Sequence, residues 1–321
     1  VDWEAISRRL GLYRALRAQR DPYEPHRELL NAFWEVVLAL GRVPHEDEFG
    51  ELAEVRRVCG SVPRAMALFS ERFGDQTLEA ARKRRRDDLL VYLAASRLRK
   101  HVPFSKLSTG LQRNIRNFFG SYDEAEHRAT ELMFAAGDVD EIELAVQQPG
   151  IGWFDPVERH FTVHRSMLGE LPSILRVFVE CGARLFGDPR EADLIKFHLR
   201  SRKLTFQHYE NFESDPFPRL LLRIKIDLPR MFVTVFDHAA GSDSQLLYFK
   251  ERFLPVTFPG HDRMTHISHR LRRLGFDEKT IGFGPTETEL KRLLAERNLT
   301  CALTRRRRTG DSRPVKPGDT G

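Results

Sequence analysis

Cysteine is scarce in this chain: Cys59, Cys181 and Cys301 are the only three in 321 residues, far apart and odd in number. They supply no disulfide framework and no Cys-x-x-Cys metal knuckle. Such usage fits a reducing cytoplasm, the expected location. No run of about 18 apolar residues occurs, so no membrane span is expected. The opening "VDWEAISRRL" is charged and lacks the apolar heart of a secretory signal. It does not begin with Met, which leaves an alternative start or a fragment of a longer protein as the two expectations.

Three chemical signatures are also missing. A methyltransferase using S-adenosylmethionine needs a glycine-rich turn between a strand and a helix, where the cofactor approaches bare backbone. "GIG" at 150–152 precedes "WFDP" and no helix, and "GFG" at 282–284 follows "DEKTI", a poor core strand. "SDPF" at 214–217 has one proline where the amino-methyltransferase motif has two. A metal nuclease of the acid-x-Lys kind needs a carboxylate two residues before a strand lysine. Lys196, Lys225 and Lys250 follow Leu194, Arg223 and Tyr248 instead. In "HDRMTHISH", His266 and His269 share a helical face, but no acid completes a zinc-protease pattern, so an exposed polar face is expected. No catalytic, cofactor or metal residue is assigned.

What is present is a soluble-protein composition, 41% hydrophobic and 31% charged, with a net charge of +6. The length favours about two domains. The stretch from Arg305 to Gly321 holds five arginines, one lysine and two aspartates, so four of the six net charges lie there. The rest of the chain is close to neutral. Basic composition is therefore weak support for a DNA-binding fold and better support for an adhesive tail.

Residues 1–149 read as an all-helical domain of six or seven helices. Leu30, Phe33, Trp34 and Val37 fall at helical spacing, stopped by Gly41 and Pro44. Ser61 opens a helix that Gly74 closes. Ser121 with Glu124 has capping-box spacing, and Asp138 with Glu141 marks the next start. The five bases from Arg82 to Arg86 could touch phosphates, but consecutive residues spread around a helix, and a solvated face is the simpler reading.

Residues 150–300 change period. "ERHFTVH" alternates; "DLIKFHLRSRKLTFQHY" and "LLLRIKIDLPRMFVTVFDH" each read as two strands about a tight turn, near Ser201–Arg202 and Pro229. Helices are expected at about 172–186, 262–274 and 287–298, the last with a Thr286–Glu289 capping box. The fold class is α+β: a helical domain followed by an antiparallel sheet with helices. Residues 301–321 bury almost nothing and read as a disordered basic tail.

"HFTVHRSMLGELPSILRVF" gathers His160, His164, Arg165 and Ser166 at the point where a strand meets a helix. Ser166 can cap the turn and Pro172 suits a first helical turn. The junction alone explains most of the segment. Arg165 beside a helix start is left over as a candidate phosphate contact.

"FFGSYDEAEHRATELMFAAGD" (118–138), "FTVHRSMLGELPSILRVFVECGARLFGD" (161–188), "ADLIKFH" (192–198) and "LLYFKERFLP" (246–255) stand in this order. Together they resemble a family of bacterial methyltransferase-like proteins associated with DNA phosphorothioation, over about Pro25 to Leu299. The resemblance implies a role in a DNA-modification or defence system. It also implies a cofactor-binding domain upstream of the matching region, so S-adenosylmethionine is expected only where such a domain is supplied. The expectation for this chain is a non-catalytic portion that places DNA or a partner protein. The alternatives are a methyltransferase-related enzyme with an unrecognised site and a pure protein-interaction module. DNA contacts are expected mainly from Arg305, Arg306, Arg307 and Arg308 in the tail. In the folded body they are expected from Arg165, and from Lys196 and Lys250 on strands.

Overall fold

A computed structural model gives the fold. It describes residues 21–98, 102–147, 151–239, 245–273, 275–276 and 286–296, with positions 3, 6 and 9. The expected basic tail and Cys301 lie outside the described residues. The chain forms two compact units, Val1–Leu132 and Met133–Gly321. Helices come first and an antiparallel six-stranded sheet follows, so the class is α+β.

Seven α-helices are described before the sheet: α1 Arg27–Leu40, α2 Leu52–Cys59, α3 Val62–Phe73, α4 Asp75–Arg97, α5 Thr109–Phe119, α6 Tyr122–Ala135 and α7 Val139–Val146. Leu30, Phe33, Trp34 and Val37 line the buried side of α1 and pack with Phe49, Leu52, Val55 and Phe69. Gly41 takes the left-handed conformation after α1, the arrangement that frees a helix end from side-chain clash. Ser61, Ser121 and Asp138 accept hydrogen bonds from backbone N–H groups of the helices they open. Behind α1, buried Arg42 donates to Asn114 of α5 at 2.7 Å and clasps Glu48 with both terminal nitrogens, at 2.6 and 2.7 Å. That clasp, with desolvation opposing it, holds the Glu48 carboxyl down at about 2.

The sheet strands are β1 Trp153–Asp155, β2 His160–His164, β3 Leu194–His198, β4 Lys203–Tyr209, β5 Leu220–Asp227 and β6 Phe232–Asp237. They lie side by side in sequence order, every pair antiparallel. Helix α8, Ser173–Phe186, crosses between β2 and β3; α9, His261–Arg273, and α10, Glu287–Glu296, follow the sheet. Thr286 and Glu289 exchange backbone-to-side-chain bonds at the start of α10.

One face of the sheet is a closed apolar layer. Phe161, Val163, Ile195, Phe197, Leu204, Phe206, Ile224 and Ile226 are all buried. Phe178 of α8 stacks on Phe197 with ring centres 5.9 Å apart. The fit is close enough that a Cβ on Gly182 would lie 2.5 Å from Leu204. Gly152 is equally constrained: its φ is +66°, and a Cβ there would sit 2.7 Å from the Thr162 carbonyl.

Three local expectations change. Pro172 is the N-cap of α8 and makes no side-chain capping bond. Ser166 does not cap the turn after β2; it lies inside that 3-10 turn, Arg165–Glu170, which His164 caps through its ring nitrogen. Lys250 is not on a strand, because Phe249 turns left-handed and starts the 3-10 turn Lys250–Phe253. Strand β2 also lacks a solvent side: all five of its residues are buried.

Candidate functional site

Strand alternation sends every second residue to the face away from α8. On that face the register builds an unbroken polar row: Thr162 beside Lys196, Lys196 beside Thr205, Thr205 beside Lys225 and Lys225 beside Thr234. The next row reads His160, His198, Lys203 and Asp227. The row on the other side reads Leu194, Gln207, Arg223 and Phe236. Strand spacing of about 4.8 Å makes this floor roughly 14 Å wide from β2 to β5.

A cavity of about 830 Å³ stands on the floor. Trp153, Asp155 and Glu158 wall it at the β1 side, Arg252 and Phe253 come from the 3-10 turn, and Leu246, Leu247 and Tyr248 close the far end. Segment 245–248 is anchored there by backbone bonds from Leu220 to Gln245 and from Leu247 to Pro218. The size falls within the range of small-molecule sites, roughly 300–1,000 Å³.

The floor is crowded with like charge. Burial, with Lys196, Lys225, His160 and Lys203 adding to it, pushes the His198 imidazole down to about 3. Burial and then Lys196 push His160 down to about 4, against the opposing Asp155. Burial lowers Lys196 to about 8, with Asp155 and Glu158 pulling the other way and Arg223 and Lys225 adding to the fall. His198 and Thr205 are joined at 2.9 Å. Lys203 is paired with Asp227 at 2.8 Å. Among the described residues, Lys225 and Arg223 form no ion pair, and the buried Nε of Arg223 has no hydrogen-bond partner. Two arginine planes back onto aromatic walls: Arg223 lies 4.7 Å from the Phe236 ring centre and Arg252 lies 4.1 Å from that of Trp153.

The expected contact residues are dispersed by the fold. Lys196 is in the cavity floor. Arg165 is half-buried, paired with Asp193 at 3.2 Å and Glu213 at 3.1 Å, and begins a 3-10 turn rather than an α-helix. Lys250 is only 2% exposed. Its ammonium donates to the carbonyls of Phe212 and Asp215 and sits 4.3 Å from the Phe212 ring centre. That placement gives it no surface on which to meet a phosphate, and burial lowers it to about 8. Arg305, Arg306, Arg307 and Arg308 lie outside the described residues. His164 stacks on Phe212 with ring centres 5.3 Å apart, away from the cavity, and burial pushes it to about 4.

In the first unit, Arg82, Lys83 and Arg86 share a shallow recess of about 340 Å³ with Glu79, Asn117 and Phe118, while Arg85 is half-buried. His266 and His269 are exposed on α9. Among the described residues no group of three His, Cys, Asp or Glu could hold a metal, and no helix is long and apolar enough to cross a membrane. Burial raises the thiols of Cys59 and Cys181, which makes both poor nucleophiles.

Thr162, Thr205, Arg223 and Lys225 were not identifiable one at a time. The available signal was collective: alternate positions of β3, β4 and β5 carry cations where a solvated face would mix signs. No family model, curated protein or solved structure matches this chain.

Proposed function

We propose that the chain is a non-catalytic, nucleic-acid-placing portion of a cytoplasmic DNA-modification system of the phosphorothioation-associated kind. One observation carries the nucleic-acid part: a sheet face on which Lys196, Lys225 and Arg223 converge among aromatic walls. Single-stranded nucleic acid is bound by that combination of cationic groove and stacking planes. The sequence resemblance supplies the system. Methyl transfer then belongs to a domain that holds S-adenosylmethionine beside this region, and the tail arginines 305–308 add affinity without sequence preference.

Anisotropy of labelled single-stranded and duplex oligonucleotides, at several salt concentrations, tests it. The full chain and a deletion of 305–321 are compared. Four tail phosphate contacts would give a duplex log–log salt slope of about −3.6. The deletion should lose most of that slope and still bind single strands. A deletion that binds no nucleic acid even at low salt would refute the proposal.

The alternative, a protein-interaction module, draws on β6. This edge strand leaves Phe232 and Val235 exposed, 61% and 52%, beside a backbone edge that no strand among the described residues pairs. Were that its role, Val235→Lys would abolish capture of a partner protein and leave nucleic-acid binding unchanged.

A further inference from the structure

The floor and the walls of the cavity ask for different chemistry. Lys196 on β3 and Lys225 on β5 flank Thr205 on β4, so their Cα atoms are roughly 10 Å apart and both ammonium groups rise from the same row. Two like charges this close repel, and an anion between them relieves that cost. A bare inorganic ion would fill only a small part of about 830 Å³. The remaining space is flanked by Arg223, which has one guanidinium face on the Phe236 ring, and by Arg252, which is enclosed by Trp153, Phe249 and Phe253. The other face of a stacked guanidinium is a platform for a further flat ring. Acidic peptides and sugar phosphates use the cations and leave the Arg223 plane idle.

We infer that the cavity is a nucleotide site, with the phosphate held over Thr205 by Lys196 and Lys225 and the base stacked against the plane of Arg223. The inference deepens the nucleic-acid role proposed above and rests on it for one of two sources of the ligand. A nucleotide can arrive as an unpaired residue of a strand or as a free mononucleotide. The hydroxyl of Thr162 and the amide of Gln207 also line the floor, where they can bond phosphate oxygens or base edges.

The experiment is titration of the full chain, followed by calorimetry and by the fluorescence of Trp153, with four probes. These are a deoxynucleoside 5′-monophosphate, the matching nucleoside, inorganic phosphate, and a short single strand alone or annealed as a blunt duplex. The monophosphate should bind at least tenfold more tightly than either the nucleoside or phosphate, and the single strand more tightly than the duplex. Lys225→Gln should weaken the monophosphate at least tenfold and leave the nucleoside unchanged. Arg223→Lys keeps the charge and removes the plane, so it should weaken the monophosphate and leave phosphate unchanged. Neither side chain forms an ion pair among the described residues, and circular dichroism of each variant confirms folding. Competition between phosphate and monophosphate on the unaltered protein gives a second, mutation-free measurement. Equal binding of nucleoside and monophosphate, or none of either at millimolar concentration, overturns the inference. A single strand that binds with a salt slope, yet is indifferent to Lys225→Gln and to added monophosphate, sinks the nucleotide site and leaves the placing role standing. A monophosphate that binds while no oligonucleotide does keeps the site and removes the placing role.

Discussion

The two faces of the sheet are built by the same strands and held by opposite means. Towards α8, branched and aromatic side chains close to near-crystalline contact, and removal from water does the stabilising. On the other side, lysines, histidines, threonines and arginines are withdrawn from water with fewer acids, Asp155, Glu158 and Asp227, than cations. The first face is spent on the fold. The second raises the folded state's free energy, as sites that must grip a ligand commonly do. Alternation couples them: a one-residue slip of any strand would exchange the faces, so the apolar layer fixes the register that keeps the cations together.

The sharpest way to break the contrast is to open the apolar layer. Phe197→Ala should cost about 3–5 kcal/mol in urea unfolding, since the ring is fully buried between Phe161 and Phe178. A loss below 1 kcal/mol would mean that this face is not the core.

Acid distinguishes the faces next. The folded imidazoles of His198 and His160 lie at about 3 and 4, below the usual 6.5. Below pH 6.5 the unfolded chain therefore takes up protons that the folded chain refuses, and stability falls as pH drops towards 4. His198 faces Lys196, Lys225, His160, Lys203 and Thr205, and His160 faces Lys196, Asp155 and Arg252. Denaturant midpoints measured from pH 7 to 4 should fall for the native chain and fall less for His198→Gln. Phe197→Leu should shift the curve without changing its slope.

The alkaline side has the same sign and a smaller span. Lys196 and Lys250 lose their protons at about 8 when folded, against 10.5 in the open chain. Between pH 8 and 10 the unfolded chain is the more protonated, so raising pH stabilises the fold. Above about 10 the half-buried Tyr209 and the buried Tyr248, both raised, reverse the trend. Lys196→Met should flatten the rise between 8 and 10, as read from thermal midpoints. A falling midpoint in that window for the native chain would contradict the lowering of both lysines.

The smallest expected effect is Thr205→Val. It removes the 2.9 Å bond to His198 from the floor and should cost about 1 kcal/mol. A loss as large as that of Phe197→Ala would mean that the two faces share the structural load.

Much of this architecture was legible in the sequence. Apolar periodicity placed the helices, and capping residues such as Ser61, Asp138 and Thr286 marked their starts, because both signals are local. The hairpins at Arg202 and Pro229 were legible for the same reason. The floor was not. Whether an alternate face meets water or a covering segment depends on residues distant in sequence, here 245–253 against β2 to β5. Lys250 shows the limit from the other side: its "YFKERF" setting reads as a strand, and only the left-handed turn at Phe249 sends the ammonium inward to two carbonyls. Arg165 was conspicuous beside a helix start, while the acids that engage it, Asp193 and Glu213, come from elsewhere in the chain.

Strand order in space follows strand order in the chain, and this governs how the protein can be made on a ribosome. Pairs β1–β2, β3–β4 and β5–β6 close through short turns, so each hairpin can zip as it emerges. One closure is long: β2 must wait for α8 to be synthesised before β3 arrives to pair with it. Chain entropy makes that the most demanding pairing in the sheet. A nascent chain halted before Leu194 holds β1, β2 and α8 of the sheet unit but no β3 neighbour for Thr162. Lys196 gains a neighbour on each side only with β4, and Lys225 joins the row only when β5 is complete. The cationic floor is therefore assembled in the order in which it is translated, and its repulsion is felt only after the apolar layer beneath it has enough strands to resist.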